Sequence, residues 1–385
     1  MKRKIIDHDH FCVFLLLAFS ICFFSSCERK APDDPKPVIS EAQIKEEPQP
    51  PPLIECPGIE AERELTEKFL DKNRPRFEKA FSLSLGWFQE LSVDPFELRE
   101  QGIKGKKKLT ELIGAYSRIY SGLSERDKEL IKDRIKQVVA ITYEPRYHNM
   151  AEVDDLHFKQ DATSYMRAAY LMDGMGLDTG MYREEILKVK PRLDGHMKIR
   201  GSHQQMAFHW YYGHFGLDEP FPLEKGYERG FIHARSDPYR LSRSAVYHLT
   251  HEIFVPYGYG DNLDAEFFDE EELKYLRWAL DRLTVHYIMQ NDPDLTAELL
   301  LCIRYLKMTD LPVYREGLAY LLDSQNVDGS WGDYDRLREK YNDYVDHGFY
   351  LHTTVVALDA LIIAFVFPEG DFLPVTGVLQ EESAE

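Results

Sequence analysis

Gly317 to Trp331 reads GLAYLLDSQNVDGSW, and nineteen residues on, Tyr350 to Phe365 reads YLHTTVVALDALIIAF. The first stretch is an apolar helical run through Tyr320, Leu321 and Leu322 that Ser324 and Gln325 end, with Asp328-Gly329 supplying the turn. The second is a helix apolar on nearly every face, as expected of one buried on all sides. Helix, turn, helix is the unit that the rest of the chain repeats.

Gly317, Tyr320, Leu321, Gln325, Gly329 and Trp331 also occupy, in order, the positions of a QW motif. The stretch therefore resembles the superfamily of terpene cyclases and protein prenyltransferases. That resemblance implies an all-α fold, an α/α toroid of paired inner and outer helices, complete or incomplete, around a central cavity.

Helical periodicity extends over most of the chain, and long strand-like alternation is missing. Runs are expected at 60–71, 77–91, 109–120, 124–143, 162–175, 203–214, 242–255, 270–289, 295–306, 313–324 and 353–365, with a further outer helix opening at Asp264 to Glu272. Met166 to Leu177 aligns with Met206 to Leu217, both aromatic-rich and both ending in a Gly-containing exit; Leu249 to Gly260 ends similarly. Spacings of about 40 to 50 residues suit one helical hairpin per repeat.

Outside this body, residues 1–26 read as an export signal: Lys2, Arg3 and Lys4, then an apolar run from Phe11 to Phe24 too short for a comfortable membrane span. Phe24-Ser25-Ser26-Cys27 resembles a bacterial lipobox, which implies a lipidated Cys27; an ordinary secretory signal or an uncleaved anchor are the alternatives. Residues 28–58 hold eight prolines and form a tether that reaches on the order of 90 Å when extended. Residues 59–368 are the helical domain, and 369–385 an acidic tail. The expected partner is thus a membrane, held through the N-terminal lipid, and the expected location the cell envelope. Cys56 and Cys302 remain after export; they could pair, although Cys302 sits in an apolar helix and reads as a small core residue.

The chain has 385 residues, of which 44% are hydrophobic and 13% aromatic, enough for a large core, and its net charge of −19 argues against nucleic acid. Its longest basic run, Lys104 to Lys108, reads as a solvated loop. The chemistry-bearing residues gather near the starts of the apolar helices: Asp161, His203, His248, His251, Asp294, Glu298 and His352. In a ring with parallel inner helices they converge on one mouth. His248 and His251, at i,i+3, share a helix face and could hold zinc with a third ligand from His203, His352, Asp161 or Asp294. Asp161, Asp294 and Glu298 are the candidates for carboxylate acid–base chemistry on glycans. The residues that make the resembled superfamily enzymatic are missing: there is no DxDD sequence and no cysteine where the prenyltransferases ligate zinc. The expectation is a binding or structural module with a His/Asp-lined cavity and a small-molecule or glycan ligand, with an enzyme as the alternative.

Overall fold

Trp331 is buried completely, and its indole N–H donates to the Leu321 carbonyl at 2.8 Å while its backbone N–H donates to Thr354 Oγ1 at 3.1 Å. One residue thereby fastens the end of one helix to the body of another. The computed structural model describes residues 58–91, 103–123, 125–220, 222–332 and 348–368, all within one unit spanning 56–385. The expected export signal, Cys27, the expected tether up to residue 57, Cys56 and the expected acidic tail lie outside the described residues.

The protein is all-α. Thirteen α-helices and no strand occur among the described residues. They are α1 (Ile59–Glu90), α2 (Ile103–Gly122), α3 (Glu125–Thr142), α4 (Pro145–His148), α5 (Asp155–Gly174), α6 (Gly180–Met197), α7 (Ser202–Phe215), α8 (Leu223–Tyr227), α9 (Arg243–Phe254), α10 (Glu270–Met289), α11 (Pro293–Tyr305), α12 (Pro312–Asp323) and α13 (Gly348–Val366). Six of them form a closed cycle of neighbours: α2 packs on α5, α5 on α7, α7 on α9, α9 on α11, α11 on α13, and α13 back on α2. The others lie against this cycle, with α3 on α2, α6 on α5 and α7, α10 on α11 and α12, and α1 on α12 and α13. A helix with neighbours on both flanks and another behind it has no solvent face. Every residue of α11 is accordingly buried.

The exits of the cycle helices share one chemistry. After α5, Leu177 N–H donates to Met172 O and Gly176 N–H to Asp173 O, with Gly176 at φ +73°. After α7, Leu217 bonds Tyr212 and Gly216 bonds Gly213 in the same two-bond pattern, with Gly216 at φ +65°. These are Schellman caps, which need a left-handed residue. A third closes α11 through Met308 to Ile303 and Lys307 to Arg304, where Lys307 takes φ +56°.

Several helix boundaries differ from expectation. The runs 60–71 and 77–91 are one helix, α1, which passes through Pro75. A mid-helix proline forfeits one backbone bond, but the apolar ladder Leu70, Phe77, Ala80 and Phe88 is buried on both sides of it, so packing overrides propensity. Helix α6, which also carries an internal proline, Pro191, was not anticipated. Lys104 to Lys108 begin α2 rather than forming a loop, and Asp264 to Phe268 precede α10, whose N-cap is Asp269 in a capping box with Glu272.

In the turn that opened the sequence, Gln325 Nε2 donates to Ala80 O (2.9 Å) in α1 and to Gly329 O (3.1 Å). Gly329 has φ +92°, and a Cβ there would meet the Leu83 carbonyl oxygen at 2.3 Å. Trp331→Ala is expected to cost ~3–5 kcal/mol and Gly329→Ala more than about 1 kcal/mol. Urea unfolding measures both, and wild-type midpoints would contradict the lock.

Candidate functional site

Three helices of the cycle carry a polar pair at the same seven-residue step: Glu111 and Arg118 on α2, Glu298 and Tyr305 on α11, His352 and Asp359 on α13. Seven residues are two helical turns, about 10 Å of rise. The first members meet one another, and so do the second, so these three helices run parallel and in register. His352 Nδ1 lies 3.1 Å from Glu111 Oε1, and its Nε2 is 3.5 Å from Asp294 Oδ1 and 3.6 Å from Glu298 Oε1. Two turns away, Arg118 Nε pairs with Asp359 Oδ1 at 2.6 Å, and the Tyr305 hydroxyl donates to the Tyr259 carbonyl at 2.9 Å.

Between the two clusters is a cavity of ≈ 400 Å³ whose wall includes residues of all six cycle helices, a size in the range of small-molecule sites. Glu111, Glu298, His352 and His251 line one end; Arg118, Asp359, Asp261 and Tyr305 line the other. Arg167, Trp210, Tyr211 and Tyr259 stand on the wall as well. Tyr259 is held in the left-handed region (φ 56°) between Gly258 (φ 57°) and Gly260 (φ 103°). The glycines adopt that conformation freely and the tyrosine does not. Its carbonyl is gripped by Tyr305 and by Arg118 Nη2 (3.4 Å), which fixes the strained turn with the ring on the cavity wall.

Charge is set firmly at the first cluster. Burial alone would strip His352 of its proton, but hydrogen bonds to Glu111 and Glu298 and the nearby Asp294 charge outweigh it and push its pKa up to about 10. Burial likewise opposes ionisation of Glu111 and Glu298, yet the His352 hydrogen bond together with the neighbouring cationic groups, and for Glu298 the Thr250 hydrogen bond, outweighs it, and both carboxyls sit below their usual value. Asp294 behaves oppositely: burial raises it, helped by the Glu298 charge, against His352 and the ion pair with Arg243 (2.9 Å). Glu298 also accepts from Thr250 Oγ1 at 2.6 Å.

The histidines on α7 and α9 form a second group. The His203 and His248 rings stack with centroids 4.0 Å apart, and His251 meets His203 edge to face at 5.9 Å. Burial holds all three below the usual histidine value, helped at His203 and His248 by the neighbouring histidines and at His251 by Arg167 and His352, and it takes His203 down to about 2. His251 Nδ1 is 2.8 Å from the Tyr247 carbonyl. A carbonyl only accepts, so Nδ1 carries the proton and Nε2 is left as an acceptor. Among the described residues no group of three His, Cys, Asp or Glu side chains is arranged to hold a metal ion.

The seven residues singled out by sequence thus separate. His251, Glu298 and His352 lie on the cavity wall, with Asp294 directly behind His352. His203 and His248 are drawn to His251 but are not wall residues, and Asp161 is buried in α5 away from the wall. Cys302 is a buried free thiol. Glu111, Arg118, Arg167 and Asp359 were missed. Asp359 is the single charge in a nineteen-residue apolar helix, which was signal enough to find it.

An all-α body with a cavity walled by six of its helices defines the class of this protein. Within that class the chain belongs to the family described as Domain of unknown function (DUF6895), which matches residues 126–362. The match takes in five of the six cycle helices and leaves out α2, with its Glu111 and Arg118. No curated protein and no solved structure matches the chain.

The two groups of histidines give stability opposite pH limbs. His352, whose pKa rises from 6.5 to about 10 on folding, contributes stability that is complete below pH 6.5 and lost between 6.5 and 10. His203, lowered from 6.5 to about 2, contributes stability present above pH 6.5 and lost as pH falls, about 2 kcal/mol by pH 5. Urea titrations across pH 5–10 should therefore peak near 6.5. His352→Gln should flatten the alkaline limb alone and His203→Gln the acid limb alone; a variant that flattens the other limb contradicts the assignment.

Proposed function

We propose that this chain is an exported, lipid-anchored binding protein of the cell envelope, whose α/α toroid encloses a small-molecule site. The observation that carries the reading is the cavity itself: residues of six helices, brought together from positions 111 to 362, wall a single space. The cycle of six helices with others packed outside it supports the toroid, as does the resemblance around Gly317 to Trp331. The leader and Cys27 supply the anchor. Among the described residues no helix is long and apolar enough to cross a membrane, so a membrane partner would be held through the N-terminal lipid.

Binding is favoured over catalysis by the state of the titratable groups. An efficient general acid or base works near the operating pH. His352 is locked as a cation, Glu111 and Glu298 as anions, and His251 as a neutral ring. These are fixed charges suited to orienting a ligand. A second reading, carboxylate acid–base chemistry on glycans or isoprenoid-like substrates, rests on Asp294, the one carboxyl of the cluster raised above its usual value. A zinc enzyme built on His248 and His251 has less support, because His248 is stacked on His203.

Two measurements test the proposal. Cys27→Ser should abolish palmitate labelling in cells, and retained labelling would sink the anchor. Denaturing the wild-type protein should release a small molecule detectable by mass spectrometry, and Val356→Phe, which fills the cavity from α13, should abolish that release while leaving the melting temperature within a few degrees of wild type. No release from wild type, together with no stabilisation by any member of a sugar and organic-acid panel, would overturn the binding reading.

A further inference from the structure

The polar groups on the cavity wall are not all spoken for, and those left over share one character. Arg167 lines the cavity from α5, and its guanidinium lies over the Tyr259 ring, 5.6 Å from the centroid. Among the described residues no carboxylate lies within ion-pairing distance of it, whereas the other wall arginine, Arg118, is paired at 2.6 Å. Tyr211, one turn from the end of α7, is 1% exposed, and its hydroxyl stands beside that of Tyr259 without a well-aligned hydrogen bond. The neighbouring Trp210 indole N–H, on the same wall, is also buried beside the Tyr170 hydroxyl without a well-aligned hydrogen bond. A buried donor left unmade costs the folded protein its desolvation, so such groups persist where something else completes them.

The opposite wall is complementary. Glu111, Glu298 and Asp359 on α2, α11 and α13 are each already engaged, by His352, by Thr250 and by Arg118. The open valences of the cavity are therefore donors gathered on the α5–α7 side: a guanidinium, a hydroxyl and an indole N–H. An acceptor with negative charge satisfies all of them together, and a planar carboxylate suits the fork of an arginine. The strained turn that sets Tyr259 beneath Arg167 holds the guanidinium from its far side, as a stacked ring does.

We infer that the cavity takes a small organic monocarboxylate, its carboxylate seated on Arg167 with Tyr211 and Trp210 donating, and its body lying among the aromatic walls between the two polar clusters. The proposal rests on the binding reading above and specifies its ligand. The two clusters stand about 10 Å apart, which suits a body of one ring. That ring is either hydroxylated or aromatic, and the two share the same anionic head.

Calorimetric titration of the full-length protein distinguishes them. The probes are D-glucuronate and phenylacetate, with the neutral counterparts D-glucose and 2-phenylethanol. At least one carboxylate is expected to bind tenfold or more tightly than its neutral counterpart. Arg167→Gln should remove that preference while leaving the neutral affinity within twofold, and Arg167→Lys should restore part of it. Tyr211→Phe deletes a buried hydroxyl that lacks a well-aligned partner, so it should leave the melting temperature at or above that of wild type and weaken carboxylate binding severalfold; a merely structural tyrosine would lower the melting temperature and leave the carboxylate preference unchanged. Equal affinity of the carboxylate and neutral members overturns the carboxylate site while leaving a binding cavity in place. Undiminished carboxylate binding in both Arg167→Gln and Tyr211→Phe also overturns it. Absence of binding by all four probes overturns this inference together with the cavity's role as a site for ligands of this size.

Discussion

Everything in this protein depends on the joint between α12 and α13. Helix α13 is the member that closes the cycle, because it packs on α11 to one side and on α2 to the other. Its attachment runs through Trp331, which reaches back to Leu321 at the end of α12 and forward to Thr354 in α13. The same turn holds α1 through Gln325 and Ala80. A single buried indole and one side-chain amide thus set the position of the helix that carries His352 and Asp359. Without that joint, five helices would make an open arc, and an arc has no interior.

With the interior in place, its electrostatics follow from depth. The same low-dielectric surroundings act in opposite directions on the two sets of histidines. At His203, His248 and His251 burial prevails and the protons are lost; His352 has three carboxylates within 4 Å and keeps its proton. Burial alone therefore does not decide the state of an ionisable group here; the partner does. The result is a cavity end made of fixed charges, matched two turns away by the Arg118–Asp359 pair.

Much of the architecture was legible in the sequence, and the reasons are specific. The Gly176 and Gly216 exits were visible because glycine is the ordinary residue for a left-handed cap; the equivalent Lys307 was not, because nothing in a lysine announces φ +56°. Helix α1 was read as two because Pro75 interrupts its pattern, and only the packing of Phe77 against Phe365, rings stacked at 4.8 Å, shows what holds it straight through. Among the wall residues, His251, Glu298 and His352 were found because helix starts were searched. Glu111 and Arg118 lie on a helix without a recognised repeat, and Arg167 lies in the middle of one. The better signal was the charge that interrupts an apolar helix, repeated at seven residues on α2, α11 and α13. Its meaning appears only when the three helices are laid side by side.

The contact of α13 with α2 joins residues near 355 to residues near 115, the first and last members of the cycle in chain order. Contacts of such long sequence separation form late, since the loop-closure entropy of the intervening chain opposes them. Of the six cycle helices, the ribosome releases α2 first and α13 last. The cavity wall is therefore incomplete until the final helix is free, and the aromatic inner faces of α5, α7 and α11 stay exposed meanwhile. A body built in this order cannot close early.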